Sequence, residues 1–92
     1  MTRFLIEIPH DSDKIACAKV VRTFLGSGSH FLSNADWGCA DDDHRAWMIV
    51  EAASREEARA IVPPALRAEA RVVRLVKFVL DPEGDRIRSA AG

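Results

Sequence analysis

The chain has 92 residues, with 13 Lys or Arg against 14 Asp or Glu and a formal net charge of −1. Apolar residues make up 48% and charged residues 29%, a globular balance with room for one core and no cleft between lobes. Near-neutral charge also excludes a polyanion binder that works through bulk electrostatics.

The first segment, Arg3 to Pro9, is rich in branched and aromatic residues and stops at a proline, so it predicts a strand. Asp11, Ser12 and Asp13 then offer an N-cap. Apolar residues follow at Cys17, Val20, Val21, Phe24 and Leu25, one face of an amphipathic helix that stops at Gly26 and Gly28. Cys17 falls on that stripe and reads as a packing residue.

Phe31 to Trp37 and Arg45 to Ala52 predict a second and a third strand, joined by the polar turn Gly38 to His44. Ser54-Arg55-Glu56-Glu57 has the form of a capping box and opens a second helix, which Pro63-Pro64 stops. Pro64 can itself open a further turn through Arg67. Arg71 to Leu80 predicts a last strand, and residues 81–92 a loose C-terminal tail.

The order is β-α-β-β-α-β, so we expect an α+β ferredoxin-like domain over residues 1–80. It would have a four-stranded antiparallel sheet with both helices on one face. Alternation places Phe4, Ile6, Ile8, Ala46, Met48 and Val50 toward the helices. Leu5, Glu7, Trp47, Ile49 and Glu51 would then line the other face, because an unpaired buried carboxylate is costly. A sheet facing water should be polar on that side, and this one is half apolar, so we expect a homodimer with the two sheets face to face.

In layout, residues 3–80 resemble the small dimeric α+β-barrel proteins with ferredoxin-like subunits. These include muconolactone-isomerase-like enzymes, cofactor-free monooxygenases, stress-responsive barrels and nickel-binding proteins. Three stretches look like a family of short bacterial proteins: Asn34-Ala35-Asp36-Trp37-Gly38-Cys39, His44 with Trp47-Met48-Ile49-Val50-Glu51, and Ile61-Val62-Pro63-Pro64. The resemblance implies a barrel-like dimer with a pocket between the sheets. It carries no catalytic residue onto this chain.

The expected topology brings His10, Trp37, Cys39, the Asp41-Asp42-Asp43 run, His44 and Arg67 to one rim. Thiolate and imidazole donors suit zinc, nickel or copper, so Cys39, His44 and His10 form a candidate metal set with an aspartate as fourth ligand. His10 and His44 are alternatively candidate acid–base groups acting on a small organic ligand. That ligand's pocket would be lined by Glu7, Trp37, Trp47 and Glu51, with Arg67 holding an anionic group. The function expected is therefore binding of a transition metal or small organic molecule. Isomerase- or monooxygenase-like turnover without a cofactor, and an interaction module with no ligand, are the alternatives.

Glu7 and Glu51 on the sheet face, and the lack of an aromatic partner for Trp47 on the first strand, speak against RNA recognition. We expect no nucleic-acid partner. The longest run free of charged residues, Thr23 to Ala35, is polar and far short of the about 20 apolar residues of a membrane span. Cys17 and Cys39 form no CxxC and imply no disulfide framework. Glu7 interrupts the only apolar run near the start, so the expected location is the reducing cytoplasm.

Overall fold

The computed structural model describes residues 1–90 as a mixed α+β fold. In chain order the elements are β1 (Thr2–Pro9), α1 (Lys14–Leu25), α2 (His30–Ser33), β2 (Asp36–Trp37) and a single 3₁₀ turn (Cys39–Asp41). These are followed by β3 (Arg45–Ala52), α3 (Arg55–Arg59), α4 (Pro64–Arg67), β4 (Arg71–Leu75), β5 (Lys77–Leu80) and β6 (Ile87–Ala90). The first four strands form an antiparallel sheet in the order β2-β3-β1-β4, while β5 and β6 pair only with each other. Among the described residues no helix is long and apolar enough to cross a membrane.

The core follows from strand alternation. Phe4, Ile6 and Ile8 of β1 and Ala46, Met48, Val50 and Ala52 of β3 are buried, with Val72 of β4 beside them. Phe24, Leu32, Ala58, Val62 and Ala70 close over that face from the helical side. Leu5, Glu7, Ile49 and Glu51 lie on the opposite face, as the placement of the glutamates predicts.

Local chemistry explains each helix. Asp13 accepts from the Ala16 amide at 3.0 Å and starts α1. Ser54 accepts from the Glu57 amide at 3.1 Å and starts α3, as the capping box requires. Pro64 sits in the first turn of α4, where its missing N–H costs nothing. Arg55 ties α3 to β4 by donating to the Val72 carbonyl.

Several predicted elements are corrected. The second strand shrinks to Asp36–Trp37, because Ser29 caps a helical turn at His30–Ser33 and the Asn34 side chain donates back to the His30 carbonyl at 2.7 Å. The apolar stripe of α1 is only partly used: Phe24 is its one buried residue, and Leu25 is exposed. The last strand breaks at Val76, and its second half leaves the sheet as β5. The supposed loose tail folds back instead. Gly84, at φ +76°, turns the chain, the Asp81 amide donates to the Arg86 carbonyl, and Ile87–Ala90 pairs with β5. The last two residues of that tail, Ala91 and Gly92, lie outside the described residues.

The hairpin between β2 and β3 is shaped by Gly38. A Cβ there would come within 2.6 Å of the Asp43 carbonyl oxygen and 2.7 Å of the Trp47 ring. Backbone on one side and a packed indole on the other leave no room to yield. Gly38→Ala should therefore lower stability by about 1–3 kcal/mol, the range for overpacking a filled space. Urea unfolding measures this, and an unchanged midpoint would show that the hairpin can relax.

Candidate metal centre

Four side chains converge where β1 ends. His10 follows Pro9 directly, Cys39 begins the 3₁₀ turn, His44 immediately precedes β3, and Cys17 reaches in from the first turns of α1. Each offers one donor atom, and the four atoms lie within 4.8 Å of one another. The Cys39 Sγ stands 3.2 Å from His10 Nε2, and the Cys17 thiol donates to it at 3.6 Å. The two imidazoles meet edge to face with ring centroids 5.7 Å apart. All four residues are half-buried.

The backbone sets this convergence. The His10 amide donates to the His44 carbonyl at 3.0 Å, which extends the β1–β3 ladder by one rung and fixes the two histidines as neighbours. Asp42, at φ +60°, turns the chain after the 3₁₀ element, a conformation that aspartate tolerates better than most residues. Its carboxylate then sits 3.1 Å from His44 Nε2. Asp43 clamps Arg45 with contacts of 2.6 and 2.9 Å, which fixes the return into β3.

Hydrogen-bond accounting shows an unbalanced site. His10 Nδ1 and His44 Nδ1 are buried without a partner among the described residues. A buried ring nitrogen without a partner carries a desolvation cost, which a cation or a water can relieve. For His44 the arrangement has a clear sense: one nitrogen faces the carboxylate of Asp42, and the other is turned inward and unpartnered. A carboxylate on the outer nitrogen is the usual way of orienting a metal-ligating imidazole.

Titration behaviour agrees with a crowded, partly desolvated cluster. The His10 pKa lies below its ordinary value of 6.5, because burial disfavours the imidazolium, the His44 charge adds to this, and Asp11 partly opposes it. Burial also raises the Cys39 thiol, followed by the adjacent Cys17 sulfur and then Asp43. His10 stands within hydrogen-bond reach of Cys39, but burial and the Cys17 sulfur favour the neutral thiol, which is a poor nucleophile.

The sequence-based candidates divide into groups. His10, Cys39 and His44 come together, and Trp37 packs its ring edge on His10 with centroids 5.6 Å apart. Trp37 and Trp47 do not share a pocket: Trp37 pairs with Ala46 on the core side, whereas Trp47 lies on the outer face. There its indole N–H donates to Glu7 at 3.1 Å, and Glu7 also receives Arg45 at 3.3 Å. Glu51 stands at the other end of the sheet, beside a concavity of about 580 Å³ that Arg3, Arg74 and Lys77 also line. Arg67 spends its guanidinium on the carbonyls of Ala60 and Val62, so it secures the α3–α4 turn.

The residue that the sequence reading missed is Cys17, read as packing because it lies on an apolar stripe. It supplies the fourth donor, the place given in advance to an aspartate. Compared with known protein families, curated proteins and solved structures, the chain matches none.

The depressed His10 pKa makes stability depend on pH in the metal-free protein. Below 6.5 the unfolded chain takes up a proton that the folded chain resists, so stability is full above that pH and falls as pH drops through the folded-state value. In chelator, the melting temperature should decline between about pH 7 and pH 5, and His10→Gln should flatten that decline. Equal slopes for the two proteins would remove His10 as the cause.

Proposed function

We propose that this chain is a metal-binding protein that takes one soft divalent cation, zinc above all, on Cys17, Cys39, His10 and His44. The observation that carries the reading is the meeting of two sulfurs and two imidazoles from four separate places in the chain, all within 4.8 Å. A tetrahedral zinc with two thiolates and two imidazoles has donor–donor edges of about 3.3–3.8 Å. The separations of 3.2 and 3.6 Å fall close to those edges, and the remaining pairs, all within 4.8 Å, would draw in by up to about 1.5 Å to close on an ion. Sulfur and imidazole donors favour zinc, nickel or copper over magnesium or calcium, which prefer oxygen.

Four protein donors leave no vacant position for a substrate. That supports a structural or metal-sensing role over a hydrolytic one, since catalytic zinc keeps one position open. The ion would join α1 through Cys17, the end of β1 through His10, and both sides of the hairpin through Cys39 and His44. The strand order β2-β3-β1-β4, with helices over one face, supports a ferredoxin-like scaffold beneath this centre.

Protein purified without a histidine tag should carry one equivalent of zinc by elemental analysis. Saturating zinc should raise the melting temperature of stripped protein by at least about 10 °C, since a ligand at a thousandfold its Kd adds about 4 kcal/mol. Cobalt(II) should give the intense visible bands of a tetrahedral thiolate site. Cys17→Ser and Cys39→Ser should each weaken binding by about a hundredfold or more. Protein that neither retains zinc, nickel or copper nor gains stability from them would overturn the proposal. So would a Cys17→Ser variant that binds zinc as tightly as the native chain.

A further inference from the structure

The β5–β6 hairpin stands away from the rest of the fold. The molecule measures 55 × 28 × 21 Å, and its radius of gyration is 15.9 Å, against about 12 Å for a compact chain of this length. Cross-strand partners share a face, so the register sorts the arm into two sides. Phe78, Leu80, Ser89 and Ile87 form one side; Lys77, Val79, Arg88 and Ala90 form the other. The first side is strongly apolar, yet Phe78, Leu80 and Ile87 are 67%, 61% and 70% exposed. Period-two alternation of this kind belongs to a ribbon with one face covered. A lone two-stranded hairpin is marginal in water.

A matching surface lies on the same chain. On the outer face of the sheet, Ile49, Leu5 and Val73 are direct neighbours across β3, β1 and β4 and form one apolar row. Ile49 is 59% exposed, with Leu5 and Val73 half-buried beside it. The arm cannot reach this row in its own chain. Sheets pack about 10 Å apart, and the one residue between β4 and β5, Val76, spans about 3.5 Å.

We propose that the arm is a dimerisation device, with the Phe78–Leu80–Ile87 face of each chain seated on the Ile49–Leu5–Val73 row of a second copy. The two-fold arrangement makes the contact twice. At about 100–130 Å² exposed per arm side chain, and less on each sheet, where Leu5 and Val73 are already half-buried, the dimer buries about 1,100 Å², the lower end of a specific interface. Lys77 and Arg88 stay on the solvent side of the arm. The sheets then face each other through exchanged arms, a more specific arrangement than the sheet-to-sheet contact expected from sequence.

Light scattering and sedimentation equilibrium on the full chain test this. The native protein should have twice the monomer mass at about 50 µM. Leu80→Asp and Ile87→Asp should each raise the dimer dissociation constant at least about a hundredfold, because each dimer would bury two carboxylates. Ile49→Asp should do the same from the sheet side. All three positions are exposed and distant from the core, so circular dichroism and zinc content should match the native chain. A monomeric native protein overturns the proposal, as do arm variants that remain dimeric. Dissociation by the arm variants without any effect of Ile49→Asp overturns it as well, since the arm would then dock elsewhere.

Discussion

The attachment of α1 to the sheet rests on few side chains. A helix of twelve residues normally secures itself with an apolar stripe, yet only Phe24 of α1 is buried. At its C-terminal end the ring of Phe24 packs against Trp37, with centroids 4.9 Å apart. Val20 packs against the core one turn earlier, and nearer the N-terminal end the Cys17 thiol donates to that of Cys39. A single weak thiol contact holds little against the entropy of a helix end. The same two sulfurs joined through a metal hold strongly, because binding to a site absent from the unfolded chain is itself folding free energy. The sparse core contact and the donor cluster are thus complementary: the cluster sits at an end of α1 that buries no side chain fully.

Small size sharpens this point. A chain of this length has a limited core, and small domains commonly supplement theirs with a metal, a disulfide or a partner. The core here leans on alanines at positions 46, 52, 58 and 70, which bring the helices close but bury little area each. The two proposed supplements would lie at opposite ends of the sheet. The donor cluster lies where β1 ends, and the apolar arm leaves from the end of β4. They share no residue.

Much of this was legible in the letters, and the failures have physical reasons. The β1 and β3 strands, the two strand faces, the Asp13 and Ser54 caps and the gathering of His10, Cys39 and His44 followed from alternation, capping and chain order. Cys17 was missed because cysteine is both a small hydrophobe and a ligand, and helical spacing speaks only to the first property. Phe31 to Trp37 looked like a strand on its aromatic ends, but Ser29 supplied a cap that propensity alone does not weigh. In the last segment, Pro82-Glu83-Gly84-Asp85 carried the signal of a hairpin turn. Its charge and proline suggested a tail, and the alternation of Ile87 to Ala90 was too short to oppose that.

The aspartate run shows best how a bland sequence feature gains a role in three dimensions. As a charge cluster, Asp41-Asp42-Asp43 is a solvated turn. In the structure its members have separate partners: Asp42 takes the outer nitrogen of His44, and Asp43 takes Arg45, whose guanidinium holds that carboxyl below its ordinary range. Asp43 also pushes the Cys39 thiol toward its neutral form, after burial and the Cys17 sulfur. That negative field opposes a bare thiolate but favours a dication, and a bound dication reverses the cost by deprotonating the thiols it binds. Nucleophilic reactivity and metal ligation thus make opposite demands on the surroundings of one sulfur.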